Sequence, residues 1–104
     1  MKQSPTFDWI VIDGERYQSD DIIACYMEDG LPRMITTTGM LTYGGTLADM
    51  KAKLYGHGFT EVGKHGLVNP KHVIGFAPGE VGKDLVLTGG HRIHVSRRSE
   101  FLFK

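Results

Sequence analysis

The sequence predicts a mainly β fold: a small antiparallel β domain of several short sheets, with one short helix at about residues 46–55 and a C-terminal helix. Three observations carry this. Short runs rich in Ile, Val, Thr and Tyr are separated by turn residues, and 14 of the 104 residues are Gly, which suits many tight turns. Only one stretch, "GGTLADMKAKLYGHG", changes from alternation to helical spacing. Hydrophobic content is 40%, ordinary for a globular protein, so a single core is feasible without disulfides or metal. Residues 1–104 are read as one domain, with residues 1–7 as a flexible N-terminus.

The elements follow in order. "DWIVI" is a strand stopped by Asp13-Gly14, and "ERYQ" is its short partner. "DIIACYM" and "LPRMITT" flank Glu28-Asp29-Gly30, a hairpin turn because Gly accepts positive φ. "ITTTGMLTY" repeats the device at Thr38-Gly39. Leu47, Met50 and Leu54 then lie on one face of a helix of roughly three turns. Thr46 is its N-cap, with Asp49 at the N3 place of a capping box, and Gly56 or Gly58 stops it. "FTEV", "LVNPKHVIGF" and "KDLVLTGGHRIHVS" return to strands, with a turn at Asn69-Pro70 and a hairpin closed near Gly89-Gly90. In "HRIHV", His91, Ile93 and Val95 share one face while Arg92 and His94 share the other. Ser96 would cap a final helix, "RRSEFLF", whose Phe101, Leu102 and Phe103 would dock on the sheet.

Charge is unevenly spread although its formal sum is zero. Residues 1–50 carry three Lys/Arg against eight Asp/Glu; residues 51–104 carry nine against four, with all five histidines. Such asymmetry points to a polyanionic partner or to two halves that attract each other. Cys25, the one cysteine, lies in the apolar run "IIACYM" and reads as a buried, inert thiol. No apolar run reaches transmembrane length, and the N-terminus lacks a signal-peptide core. A cytoplasmic protein without membrane contact is expected.

Enzymatic readings are weak. Ser96, His94 and Glu100 lack a nucleophile elbow and an orienting acid. His91 and His94 point to opposite strand faces, so they cannot chelate one ion, and no C-x-x-C or H-x-x-x-H accompanies them. "GGTLADM" lacks the Lys of a phosphate loop, so cap and turn chemistry explains its glycines. The protein is read as a non-enzyme with no cofactor or metal. What remains is the basic material. Lys64 and His65 sit at a Gly-flanked tip, "VGKHG", and His91, Arg92, Arg97 and Arg98 crowd "TGGHRIHVSRR". Arg suits bidentate reading of guanine and Lys suits phosphates, although ordinary solvated surface explains such residues as well.

The order of these segments resembles the LytTR-type DNA-binding domain from about Trp9 onward. The resemblance rests on Leu47 and Leu54, Phe59, Lys64-His65, Val68-Asn69 with Ile74, and Val95-Ser96-Arg97. It implies loops placed in successive major grooves of duplex DNA at repeated sites, regulation of transcription, and action as a dimer. Many members carry a receiver domain ahead of the DNA-binding part. This chain has no room for one, so a separate signalling partner is expected, or a longer parent protein.

Residue by residue, "FTEVGKHGLVN" keeps the Phe, Val and Asn of the family's pattern, and Lys64 keeps its second basic position. Glu61 replaces an Arg, Gly63 a His, and His65 a Ser. Arg97 matches the Arg after Ser, with Arg98 as a phosphate contact beside it. The DNA-binding set is therefore Lys64, His65, Arg97, Arg98, His91 and Arg92. Asn69 is read as structural, making a side-chain-to-backbone turn, and Val68 as core. The hairpin tip Glu28-Asp29 is acidic where the family often contacts DNA. That departure, with Glu61 and Gly63, keeps a second reading open: a protein-interaction module of the same fold that has lost DNA and antagonises or partners a DNA-binding relative.

Overall fold

The computed structural model describes residues 9–62, 66–78 and 83–95. Residues 1–7, the expected C-terminal helix, and Lys64, His65, Arg97 and Arg98 lie outside the described residues.

The elements run β1 (Ile10–Ile12), β2 (Glu15–Tyr17), β3 (Ile22–Glu28), β4 (Leu31–Thr36), β5 (Gly39–Thr42), α1 (Leu47–Leu54), β6 (Thr60–Glu61), β7 (Gly66–Val68), β8 (Val73–Pro78), β9 (Lys83–Leu87) and β10 (Arg92–Val95). They form three antiparallel sheets: a ribbon β1-β2, a central sheet ordered β5-β4-β3-β7-β6, and a sheet ordered β10-β9-β8.

Local chemistry sets the turns. Asp13 and Gly14 have φ of 50° and 83°, and Asp29 and Gly30 have φ of 55° and 78°. Two consecutive left-handed residues give the two-residue hairpin turn that Asp-Gly favours, because its twist matches that of the flanking strands. α1 begins as its sequence dictates. Thr46 Oγ1 accepts from the Asp49 amide at 3.1 Å, and the Asp49 carboxylate accepts from the Thr46 amide at 3.4 Å. The helix has eight residues, a turn shorter than its spacing suggests. Tyr55 already leaves helical geometry with ψ of 133°, and Gly56 follows at φ 84°.

The central sheet is buried on both faces. On one side Ile22, Cys25, Met34 and Leu67 pack with Ile10 and Ile12 of the ribbon and Met50 and Leu54 of α1. On the other, Ile23, Ala24, Ile35 and Val68 pack with Leu85 and Leu87 of β9. β3 serves both sides by a register shift between Ile22 and Ala24. This bulge lets Ile23 and Ala24 both face the second core, against the strict alternation of a regular strand. Asn69 ties the two ends of this construction together. Its Nδ2 donates to the carbonyls of Ser19 at 3.0 Å and Ile22 at 3.1 Å, and its Oδ1 accepts from the Lys71 amide at 3.1 Å. The structural role read for Asn69, and the core position read for Val68, are what the structure shows.

Candidate nucleic-acid interface

The loop carrying Lys64 is held by its two ends. The Val62 amide donates to the Gly66 carbonyl at 2.9 Å, closing a narrow mouth. Gly66 pairs with Tyr26 of β3, and a Cβ there would come within 3.1 Å of Val62 Cγ2. Glycine is what lets the mouth close this tightly. Val62 and Gly66 are both buried, so the loop springs from core.

β10 forms the other wall. It runs antiparallel to β9, with Ile93 opposite Leu85 and His94 opposite Asp84. Ile93 packs toward the second core, while Arg92 and His94 are exposed. His91 is half-buried at the end of the Thr88–Gly90 turn, where Gly89 and Gly90 take φ of 85° and 84°. The alternation expected of "HRIHV" therefore holds for the four described side chains, and His91 and His94 point apart. Val62, Gly66, Arg92, Ile93 and His94 line one cavity of about 270 Å³ together with Tyr26 and Met27. Both roots thus stand on one flank: that of the loop bearing Lys64 and His65, and that of the strand leading to Arg97 and Arg98.

The flank's charges are paired in ways that composition hides. Asp84, on β9, takes Arg92 Nη2 at 3.2 Å on one carboxylate oxygen and His94 Nδ1 at 3.3 Å on the other. Arg92 Nη2 also donates to the Pro78 carbonyl at 2.8 Å. Glu61, which stands where the resemblance leads one to expect Arg, is bound by Lys51 of α1 at 2.7 Å. Glu28 at the hairpin tip lies 3.5 Å from Arg33 Nε. Burial, reinforced by the Glu28 charge and opposed by Arg33, raises the Tyr26 phenol above its usual pKa, so Tyr26 is neutral here.

Sequence reasoning missed Asp84. The signal was present, because Gly89-Gly90 closes the hairpin and fixes its register, which sets Asp84 opposite His94. Among the described residues no group of three or more His, Cys, Asp or Glu is arranged to hold a metal ion. No described helix is long and apolar enough to cross a membrane.

Comparison with known proteins fits this geometry. The chain superposes on a solved structure from Bacillus cereus, described as the LytTr DNA-binding domain of a methyl-accepting/DNA response regulator. The TM-score is 0.68 at 15% identity, covering 91% of this chain and 90% of that one. At that identity the likeness speaks to fold. No curated protein matches the sequence. The model of the LytTr DNA-binding domain matches residues 15–104, nearly the whole chain, and the chain therefore belongs to that family of DNA-binding domains.

Proposed function

We propose that this chain is a sequence-specific duplex DNA-binding regulator of transcription. It would grip DNA with the flank where the 62–66 loop and β10 meet. In this reading Lys64, His65, Arg97 and Arg98 contact the groove and its phosphates, with His91 and Arg92 as supporting contacts. The observation that carries this reading is the shared cavity: Val62 and Gly66 on one wall, Arg92, Ile93 and His94 on the other. Two cationic segments rooted together can engage one stretch of duplex, whereas segments rooted on opposite sides cannot. A homodimer on repeated sites in the cytoplasm, prompted by a separate signalling partner, completes the proposal.

Fluorescence anisotropy against selected and random duplexes tests it. Binding should weaken steeply with salt, by a logarithmic slope of about −0.9 for each phosphate contacted. Arg97→Ala should relax base preference, whereas Lys64→Ala should weaken all sequences alike. Absence of binding even at low salt would end the reading.

One observation favours the protein-binding alternative. Tyr26 pairs with Gly66, and β3 continues past it to Glu28. The acidic tip Glu28-Asp29 therefore projects from the same end of the central sheet as the cationic loop. If that tip governs the surface, the protein will form complexes with another protein while ignoring oligonucleotides, as size-exclusion chromatography with each partner would show.

A further inference from the structure

The contacts of Arg92 restrict what that residue can do on DNA. An arginine offers two bidentate forks: Nη1 with Nη2 at its end, and Nε with Nη2 along its side. Both include Nη2. Reading guanine through O6 and N7 requires one of these forks. In this structure Nη2 is the nitrogen already engaged, by the Pro78 carbonyl at 2.8 Å and by Asp84 Oδ2 at 3.2 Å. Asp84 is itself well placed to persist. Its side chain is only 21% exposed, it belongs to the middle strand of its sheet, and its other oxygen faces His94 Nδ1. The Arg92 side chain is 48% exposed and its Nη1 is outside these two contacts; one such nitrogen suffices for a single-point contact to a phosphate oxygen.

We propose that Asp84, acting with the Pro78 carbonyl, holds Arg92 as a phosphate anchor in place of a base reader, and that its charge sets how strongly that anchor binds. This rests on the reading of the flank as the DNA surface. The Asp84 carboxylate beside Arg92 also offsets part of the attraction between that guanidinium and DNA. Asp84→Asn removes the competing charge while preserving size, and leaves the Pro78 carbonyl on Nη2.

The test is a double-mutant cycle of Asp84→Asn and Arg92→Ala, read by anisotropy across a duplex set in which each base pair of the bound site is changed in turn. Arg92→Ala alone should weaken every duplex by a similar factor, about threefold to tenfold, and make the salt slope shallower by about one. Asp84→Asn alone should tighten binding about threefold, in line with the worth of a partly exposed ion pair, and that gain should vanish when Arg92 is Ala. The proposal is overturned if Arg92→Ala changes the rank order in the wild-type background. It is equally overturned if Asp84→Asn leaves affinity unchanged or lowers it, or if its gain survives in the double variant. Wild-type protein that binds no duplex at low salt would overturn the DNA reading as well. Wild-type binding with any of the other failures would overturn the role of Asp84 alone.

Discussion

Two residues show how much chemistry a single side chain can settle. Asn69 is 5% exposed and satisfies two carbonyls and one amide that lie far apart in sequence. Removing it takes this partner from one buried carbonyl and two part-buried groups, and a buried group left unpaired costs about 1–3 kcal/mol. Asn69→Ala should therefore destabilise the domain by about 3 kcal/mol in urea unfolding. Asn69→Asp should do at least as much harm, because a carboxylate would face the Ser19 and Ile22 carbonyls in place of a donor. Cys25 is fully buried, and that burial pushes its thiol up from 9.0 to about 12. The folded state then holds its proton where the unfolded chain has released it. Stability from this group is intact below about pH 9 and falls as pH rises toward about 12. At pH 8 a thiol reagent should label Cys25 quickly in denaturant and barely at all in the native protein. Rapid native labelling would contradict the burial. Both residues were legible in the sequence, Asn69 from its place before Pro70 and Cys25 from the apolar run around it.

At the scale of elements, legibility followed the range of the interaction. Capping of α1 by Thr46 and Asp49 and the Asp-Gly turns are set within a few residues, so the sequence displayed them. The division into two cores was not displayed. "IIACYM" offers apolar residues for both faces of β3, and only the bulge between Ile22 and Ala24 decides which side each takes. The Glu61–Lys51 pair was likewise hidden, because it joins a strand to a helix ten residues earlier. It alters the meaning of the acidic substitution in the loop: Glu61 is engaged by α1 and adds less repulsion toward DNA than its charge suggests. Gly66 governs the same loop from its other end. In Gly66→Ala the new methyl meets Val62 Cγ2 at 3.1 Å, and a buried, β-branched neighbour yields little. We expect a loss of about 1–2 kcal/mol in urea unfolding and weaker DNA binding than that loss explains, since the mouth holding Lys64 must widen. Unchanged stability would mean that the 62–66 mouth gives way freely.

For the whole molecule, the geometry of the duplex becomes the constraint. Contacts to successive major grooves on one side of B-DNA lie one helical turn apart, about 34–36 Å. Val62 and Gly66 line the same small cavity as Arg92, Ile93 and His94 of β10, so on the proposed reading the two segments would serve one groove and its bordering phosphates. A second groove has to be met by another part of the body. The principal extents of 44 × 34 × 23 Å allow this along the longest axis. Across the shortest, the protein covers well under one turn. The charge division bears on the same point. Of the ion pairs among the described residues, Lys71–Asp20 joins the acidic first half to the basic second half, whereas Lys51–Glu61 and Arg92–Asp84 fall within the second half. Among the described residues the halves are thus not simply neutralising each other. These constraints yield a length test. If one molecule bridges two grooves, a duplex of about 10 base pairs offers only one of them, while a duplex of about 20 base pairs offers both. Affinity per site should then rise at least about tenfold between those lengths, the worth of even one lost set of charge-assisted contacts, and change little on further extension. The salt slope should steepen over the same interval, because more phosphates are engaged. An anisotropy series with duplexes centred on one selected site measures both quantities. Equal affinity and equal slope at the two lengths would confine the protein to a single groove, leaving the second contact to another copy of the chain bound at a neighbouring repeat.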